Sequence, residues 1–243
     1  LKNLILNHSL KINENHVKTY KKLIHRRRLG EPVAYILNKK EFWKYNFYVD
    51  RNVMIPRPDT EIIIEETLKL IDIDKKKFIL DIGTGSGCII ISLAKERPNL
   101  IGTAIDISKN ALKVAKINAK MHHLLNRIKF YQSSVDNFFK GKYDLIISNP
   151  PYINKLSLKY LEKDILGFEP WIALEGGLDG SSILNKVIKK SSSLIKVGGK
   201  LILEIGYNQR RKTEVMLKNQ GFYINETFKD YGKNDRCIIS TKI

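Results

Sequence analysis

The residues with the clearest capacity for chemistry form one short run, Ser148-Asn149-Pro150-Pro151-Tyr152-Ile153, at the end of an apolar strand candidate over 143–147. An amide, two prolines and an aromatic ring are poorly suited to continuing a sheet and well suited to gripping a flat amide or amine. Each proline removes a backbone donor and restricts the residue before it, which holds nearby carbonyls in fixed directions. The same residues also make an ordinary strand-to-loop stop. The rest of the chain has to decide between the two.

Two further features bear on that choice. Asp81-Ile82-Gly83-Thr84-Gly85-Ser86-Gly87 joins a strand candidate to a helix candidate, and its glycines let a ligand approach the backbone without a Cβ in the way. A dinucleotide fingerprint would place its third small residue at 88, where Cys88 stands, and no Gly-Lys-Ser/Thr ending is present for a P-loop. Asp81 could anchor this turn through backbone N–H groups. Asp106 directly follows the next strand candidate, where a carboxylate can accept hydrogen bonds from both hydroxyls of an adenosine ribose. Capping the following helix is the alternative, a role that Ser108 fills as well. A ribose acceptor, a glycine turn and a rigid amide-proline-aromatic clamp on one rim describe a site for an adenosyl cofactor facing an amine or amide. That chemistry is methyl transfer.

These residues need a frame to hold them. From 78 onward strand and helix candidates alternate: strand 78–82, helix 86–97, strand 101–105, helix 108–122, strands 128–132 and 143–147, helix 181–195, strand 200–205 and helix 209–220. Repeated alternation implies an α/β fold with a mainly parallel sheet covered on both faces. The closing strands 222–226 and 236–241 leave no room for a helix between them, so they should form an antiparallel edge pair. Before this body, 1–31 reads as a short helical region with Leu4, Ile5, Leu10, Val17, Leu23 and Ile24 at loosely helical spacing. Residues 32–57 read as a linker carrying a β-hairpin, its turn at Asp50-Arg51-Asn52, and 58–243 as the main domain.

At 243 residues the chain can bury a sizeable core, and no apolar run reaches the roughly 20 residues needed to span a bilayer. With no signal-peptide layout, the cytoplasm is the expected location. Cys88 and Cys237 are too few for a disulfide framework, and the adjacent His122 and His123 lack metal-ligand spacing, so no metal site is expected. The formal charge of +18 would attract phosphate-rich partners such as RNA or DNA, or it reflects lysine scattered by composition.

Several stretches resemble one family. Arg27-Arg28-Leu29-Gly30-Glu31-Pro32 with Ala34-Tyr35-Ile36, Glu41-Phe42-Trp43, and Ile55-Pro56-Arg57-Pro58-Asp59-Thr60-Glu61 carry the resemblance before the glycine turn. After it come Ser148 to Ile153, Phe168-Glu169-Pro170 with Ala173-Leu174, and Asp230-Tyr231-Gly232-Lys233-Asn234-Asp235-Arg236. Together they resemble the HemK/PrmC family, enzymes that methylate N5 of the glutamine in the Gly-Gly-Gln motif of bacterial class I peptide-chain release factors. Asn-Pro-Pro-Tyr alone is shared with methyltransferases acting on exocyclic amines of nucleic-acid bases; the Arg-Pro-Asp-Thr-Glu segment narrows the choice.

The resemblance implies a Rossmann-like class I methyltransferase fold using S-adenosylmethionine and releasing S-adenosylhomocysteine. By the same resemblance Gly83, Thr84, Gly85, Ser86 and Gly87 line the cofactor, Asp106 holds its ribose, and Arg57, Pro58, Asp59, Thr60 and Glu61 close over its methionine end. Asn149, Pro150, Pro151 and Tyr152 would hold the glutamine, with Asn149 also touching the cofactor. The chain departs from the family at Ser134-Val135, where relatives carry Asp followed by Trp or Leu near the adenine, and in a shorter N-terminal helical region. Arg57 has a second reading, an ion pair with Glu61 one helical turn away, and Tyr152 a second role as a pocket wall.

Overall fold

The structure is a computed structural model that describes residues 13–243. The expected helical positions Leu4, Ile5 and Leu10 lie outside the described residues. Helix α1 (Glu14–Arg28) begins where the Asn13 side chain accepts a hydrogen bond from Asn15 N at 2.8 Å. Glu14 stands in its first turn and His25, Arg26, Arg27 and Arg28 in its last, the charge order that complements a helix dipole. None of its residues is buried. Arg26 then grips Glu31 through two bonds of 2.7 Å and turns the chain toward the short helix α2 (Val33–Ile36).

The hairpin is displaced from its expected place. Strands β1 (Lys40–Phe42) and β2 (Tyr45–Phe47) pair antiparallel, with Trp43 at φ +56° in their turn. At Asp50-Arg51-Asn52 the Asp50 carboxylate accepts from Asn52 N at 2.9 Å and closes a local turn. The β-branched residues on either side, Val49, Val53 and Ile55, are buried by packing with Tyr35, Ala111 and Val114 instead of by strand pairing.

The main body is a seven-stranded sheet in the order β5-β4-β3-β6-β7-β9-β8. Its strands are β3 (Lys77–Ile82), β4 (Leu100–Asp106), β5 (Ile128–Gln132), β6 (Tyr143–Ser148), β7 (Ile195–Glu204), β8 (Phe222–Lys229) and β9 (Asp235–Lys242). The first five run parallel, and β9 pairs antiparallel with both β7 and β8, as the spacing of the last two strands predicts. Side chains alternate between two cores. Ile79, Leu145 and Ile147 join one with α3 (Glu61–Lys69) and α4 (Cys88–Glu96); Leu80, Ile146 and Ile82 join the other with α6 (Ser182–Leu194) and α7 (Arg210–Asn219). Burial on both faces is why these strands read as nearly unbroken apolar runs. No helix among the described residues is long and apolar enough to cross a membrane.

The chain order reverses between β3 and β6, which opens a crevice at the carboxyl ends of those strands. One buried side chain ties the surrounding elements together. Asn118, on α5 (Lys109–Met121), accepts from Tyr48 N at 2.7 Å and donates to Tyr48 O at 2.9 Å and to Ser86 O at 2.8 Å. It therefore staples the segment after the hairpin to the end of the glycine turn. Asn118→Ala should cost about 2 kcal/mol, because it strands backbone groups that have no other partner; a lower urea midpoint at unchanged slope would show it.

Candidate active site

The crevice holds a cavity of about 360 Å³, within the roughly 300–1,000 Å³ of small-molecule sites. The glycine turn forms its floor. At Gly85 (φ +54°) an added Cβ would meet nothing within 4 Å, so the backbone there faces open space. Gly87 (φ +80°) is different: a Cβ would come within 2.9 Å of Ile91 Cδ1, and its smallness serves the packing of α4 against α5. Gly83, Thr84, Gly85 and Ser86 line the cavity, and Gly87 does not.

Two carboxylates hold this floor. Asp81 is buried, accepts from the Thr84 hydroxyl at 2.6 Å, and leaves Oδ1 without a partner. Burial pushes its pKa up to about 7 against the Thr84 bond. Asp106, at the end of β4, accepts from Gly85 N and Ser108 N, both at 2.9 Å. Burial raises its pKa and those N–H groups oppose the rise. Ser108 caps α5 through Ala111 N at 3.1 Å, which leaves the Asp106 carboxylate to the cavity it lines.

Ser134, Val135, Asn149, Pro150 and Pro151 line the same cavity. Asn149 follows β6 directly, and its Nδ2 donates to Thr60 Oγ1 at 3.2 Å. Tyr152 lies outside the lining: its hydroxyl is 3.5 Å from Glu204 Oε1 and accepts from Arg236 Nη1 at 3.4 Å. Burial raises that hydroxyl to about 12.

Of the segment from Arg57 to Glu61, only Thr60 reaches the cavity lining. Arg57 does not pair with Glu61. It bonds to Glu169, whose side chain is 1% exposed and whose other oxygen accepts from Ile55 N at 3.3 Å. Glu61 instead accepts from Trp43 N at 2.8 Å, because the first turn of α3 faces the displaced hairpin. Pro58 begins a 3₁₀ turn, and Asp59 lies 3.7 Å from Arg236, which also holds Asp230 through bonds of 3.0 and 2.9 Å. Asp235 faces Arg210 at 3.6 Å.

Sequence reasoning passed over other lining residues, among them Ile107, Ile172 and Glu175. Ile107 had a usable signal: an apolar side chain beside Asp106 at a strand end, left 53% exposed in the structure. The site therefore offers an apolar slot with a carboxylate at one wall, glycine backbone open to close approach at its floor, and an amide with two prolines on the same lining. This lining fits an adenosyl group, with the Asp106 carboxylate to accept from its ribose and the open glycine backbone to admit its tail.

The Methyltransferase small domain family matches residues 60–165. The release factor glutamine methyltransferase of Buchnera aphidicola subsp. Acyrthosiphon pisum is 40% identical over 239 residues, covering 98% of this chain and 85% of that protein. The release factor glutamine methyltransferase of Clostridium acetobutylicum is 36% identical over 242 residues, with the same shares of 98% and 85%. Among solved structures, a methyltransferase from Pyrococcus furiosus superposes with a TM-score of 0.63 at 17% identity, covering 89% of this chain and 98% of that one. The magnesium protoporphyrin IX methyltransferase of Synechocystis, solved with its methyl donor bound, gives 0.52 at 17% identity over 76% and 82%. At these identities the likeness is one of fold.

Proposed function

The chain belongs to the release factor glutamine methyltransferase family, and from that premise we propose that it methylates N5 of the glutamine in the Gly-Gly-Gln motif of bacterial class I peptide-chain release factors. The cofactor is S-adenosylmethionine, which when bound supplies a methyl group on a sulfonium that is already strongly electrophilic. The observation that carries the reading is the position of Asn149 and Pro150 on the lining of the same cavity as Asp106 and the glycine turn. Substrate clamp and cofactor floor share one space.

Asp106, Gly85, Ser134 and Val135 would hold the adenosine half, and Thr60 with Gly83 to Ser86 the amino-acid half. The task left to the protein is alignment, because a glutamine nitrogen is a poor nucleophile whose lone pair is delocalised into its carbonyl. Asn149 Oδ1 and the Pro150 carbonyl each accept one substrate N–H, which turns the remaining lone-pair direction into the cavity. Both acceptors strengthen as that nitrogen gains positive character, so they favour the transition state selectively. Alignment of this kind is worth about 7–11 kcal/mol when the geometry is near attack. No strong base is needed, since the extra proton can leave afterwards. Tyr152 backs the clamp from outside the cavity.

We assign 58–243 to the catalytic unit, 32–57 to a linker, and 1–31 to a helical region that engages the protein substrate, with the reaction in the cytoplasm. The unburied surface of α1 supports the last role. Labelled S-adenosylmethionine tests the whole reading when offered with release factor, with release factor whose motif glutamine is changed to alanine, and with nucleic acid. Label is expected only in the first, and label in nucleic acid alone would overturn the proposal. A separate expectation concerns Asp106→Ala, which should weaken cofactor binding about 10- to 100-fold by removing a charged acceptor. Calorimetric titration of the cofactor would read it.

A further inference from the structure

The Asn149 side chain can present either its oxygen or its nitrogen to the cavity, and only the oxygen can accept an N–H from a substrate amide. In the structure Nδ2 donates to Thr60 Oγ1 at 3.2 Å. That bond fixes the orientation only if the Thr60 hydroxyl hydrogen points elsewhere. Thr60 stands at the N-terminal end of α3, where a threonine hydroxyl ordinarily caps the helix, yet it makes no capping bond. Glu204, the last residue of β7, is 2% exposed and near enough for the Thr60 hydroxyl to favour its charged form, while its Oε2 is buried and lacks a hydrogen-bond partner.

We infer that Glu204 is a positioning residue for Asn149, acting through Thr60. Its carboxylate takes the Thr60 hydroxyl hydrogen, the Thr60 lone pairs receive Asn149 Nδ2, and Asn149 Oδ1 is left facing the substrate. The inference rests on the reading of Asn149 as the amide clamp.

An ionised carboxylate only accepts hydrogen bonds, so this relay runs in one direction. A protonated Glu204 could donate to Thr60, whose hydroxyl could then donate to Asn149 and turn the amide round. Burial raises Glu204 to about 7; the Thr60 hydroxyl and the Arg236 charge oppose the rise, and Asp59 adds to it. The charged and titratable groups facing Glu204 are Asp59 beside Thr60, Tyr152 after β6, Arg236 and Cys237 on β9, and Cys88 at the start of α4. Burial pushes Tyr152 and Cys88 to about 12 and Cys237 higher, and Arg236 stays charged, so these four keep one state near neutrality. The relay should therefore be set above neutral pH and released as Glu204 takes up a proton.

The test uses Thr60→Val, Thr60→Ser, Glu204→Gln and the Thr60→Val/Glu204→Gln double variant in the full chain. In protein labelled with ¹⁵N-asparagine, the Asn149 side-chain resonance is identified by its loss in Asn149→Ala. It should shift with pH around neutrality in the parent and stay still in Glu204→Gln and Thr60→Val. Turnover should fall about 10- to 30-fold in each of those two, the worth of one oriented hydrogen bond, with cofactor affinity unchanged in Glu204→Gln, whose side chain lies outside the cavity lining. Thr60→Ser should restore it, and the double variant should be no worse than either single. A parent resonance indifferent to pH, strictly additive losses, or equal losses of turnover and cofactor affinity in Glu204→Gln would each overturn the inference. A parent enzyme that fails to label release factor would instead overturn the proposed function, while the resonance still reports on the relay.

Discussion

Asn149→Ala should lower turnover by about 10²- to 10³-fold, the usual cost of deleting one preorganised group that stabilises developing charge, while cofactor affinity changes little. The asymmetry follows from where Asn149 stands. It lines the cavity one step beyond the Ile82–Ser148 pair of the parallel strands β3 and β6, beside the start of the glycine turn, and its Nδ2 is already committed to Thr60. Losing it removes an acceptor for the substrate amide and leaves the cofactor floor, held by Asp106 with Gly85 N and Ser108 N, untouched. Single-turnover rates at saturating cofactor, beside a direct binding titration, separate the two quantities. Equal losses of both would contradict the role given to Asn149.

Arg57→Met should destabilise the fold by about 3 kcal/mol, at the lower end of the cost of breaking a buried ion pair. Glu169→Gln should cost less. The difference lies in what each change leaves behind. Without Arg57, the Glu169 carboxylate remains 1% exposed with only Ile55 N at 3.3 Å to satisfy it. Without the Glu169 charge, Arg57 is still 34% exposed and can turn its guanidinium to water. Thermal unfolding of the two variants should rank them in that order, and the reverse ranking would show that Arg57, not Glu169, is the group that cannot be left alone. Because Glu169 precedes Pro170, which lines the cavity, the less stable variant should also bind cofactor more weakly.

The central sheet was legible because its cause is local. Short apolar runs such as Ile79-Leu80 and Leu145-Ile146-Ile147, bounded by turn residues, read as interior strands and are buried, and the short gap between β8 and β9 leaves only an antiparallel pairing. Residues chosen by type alone, Gly85, Asp106, Asn149 and Pro150, lie around one cavity because strand ends on the same side of a parallel sheet bring them there. What could not be read are choices of partner. Glu169 is 112 residues from Arg57, and nothing in either neighbourhood distinguishes it from Glu61, which is four away and paired elsewhere. The hairpin was misplaced for a related reason: Val49, Val53 and Ile55 have strand propensity, but the surface of α5 offered them burial without pairing. Tyr152 shows that residue type does not fix direction, since its hydroxyl turns to Glu204 and Arg236.

The strand order β7-β9-β8 has a consequence for how the molecule is made. During synthesis β8 emerges before β9, yet it has no place in the sheet until β9 inserts between it and β7. Until then β7 presents a bare edge, the kind of surface on which growing chains adhere to one another. Arg236, which joins Asp230, Asp59 and the Tyr152 hydroxyl, arrives on that same late strand. Edge protection and the final bracing of the loop that follows β6 are thus a single event, and an immature chain is at once sticky and without that brace.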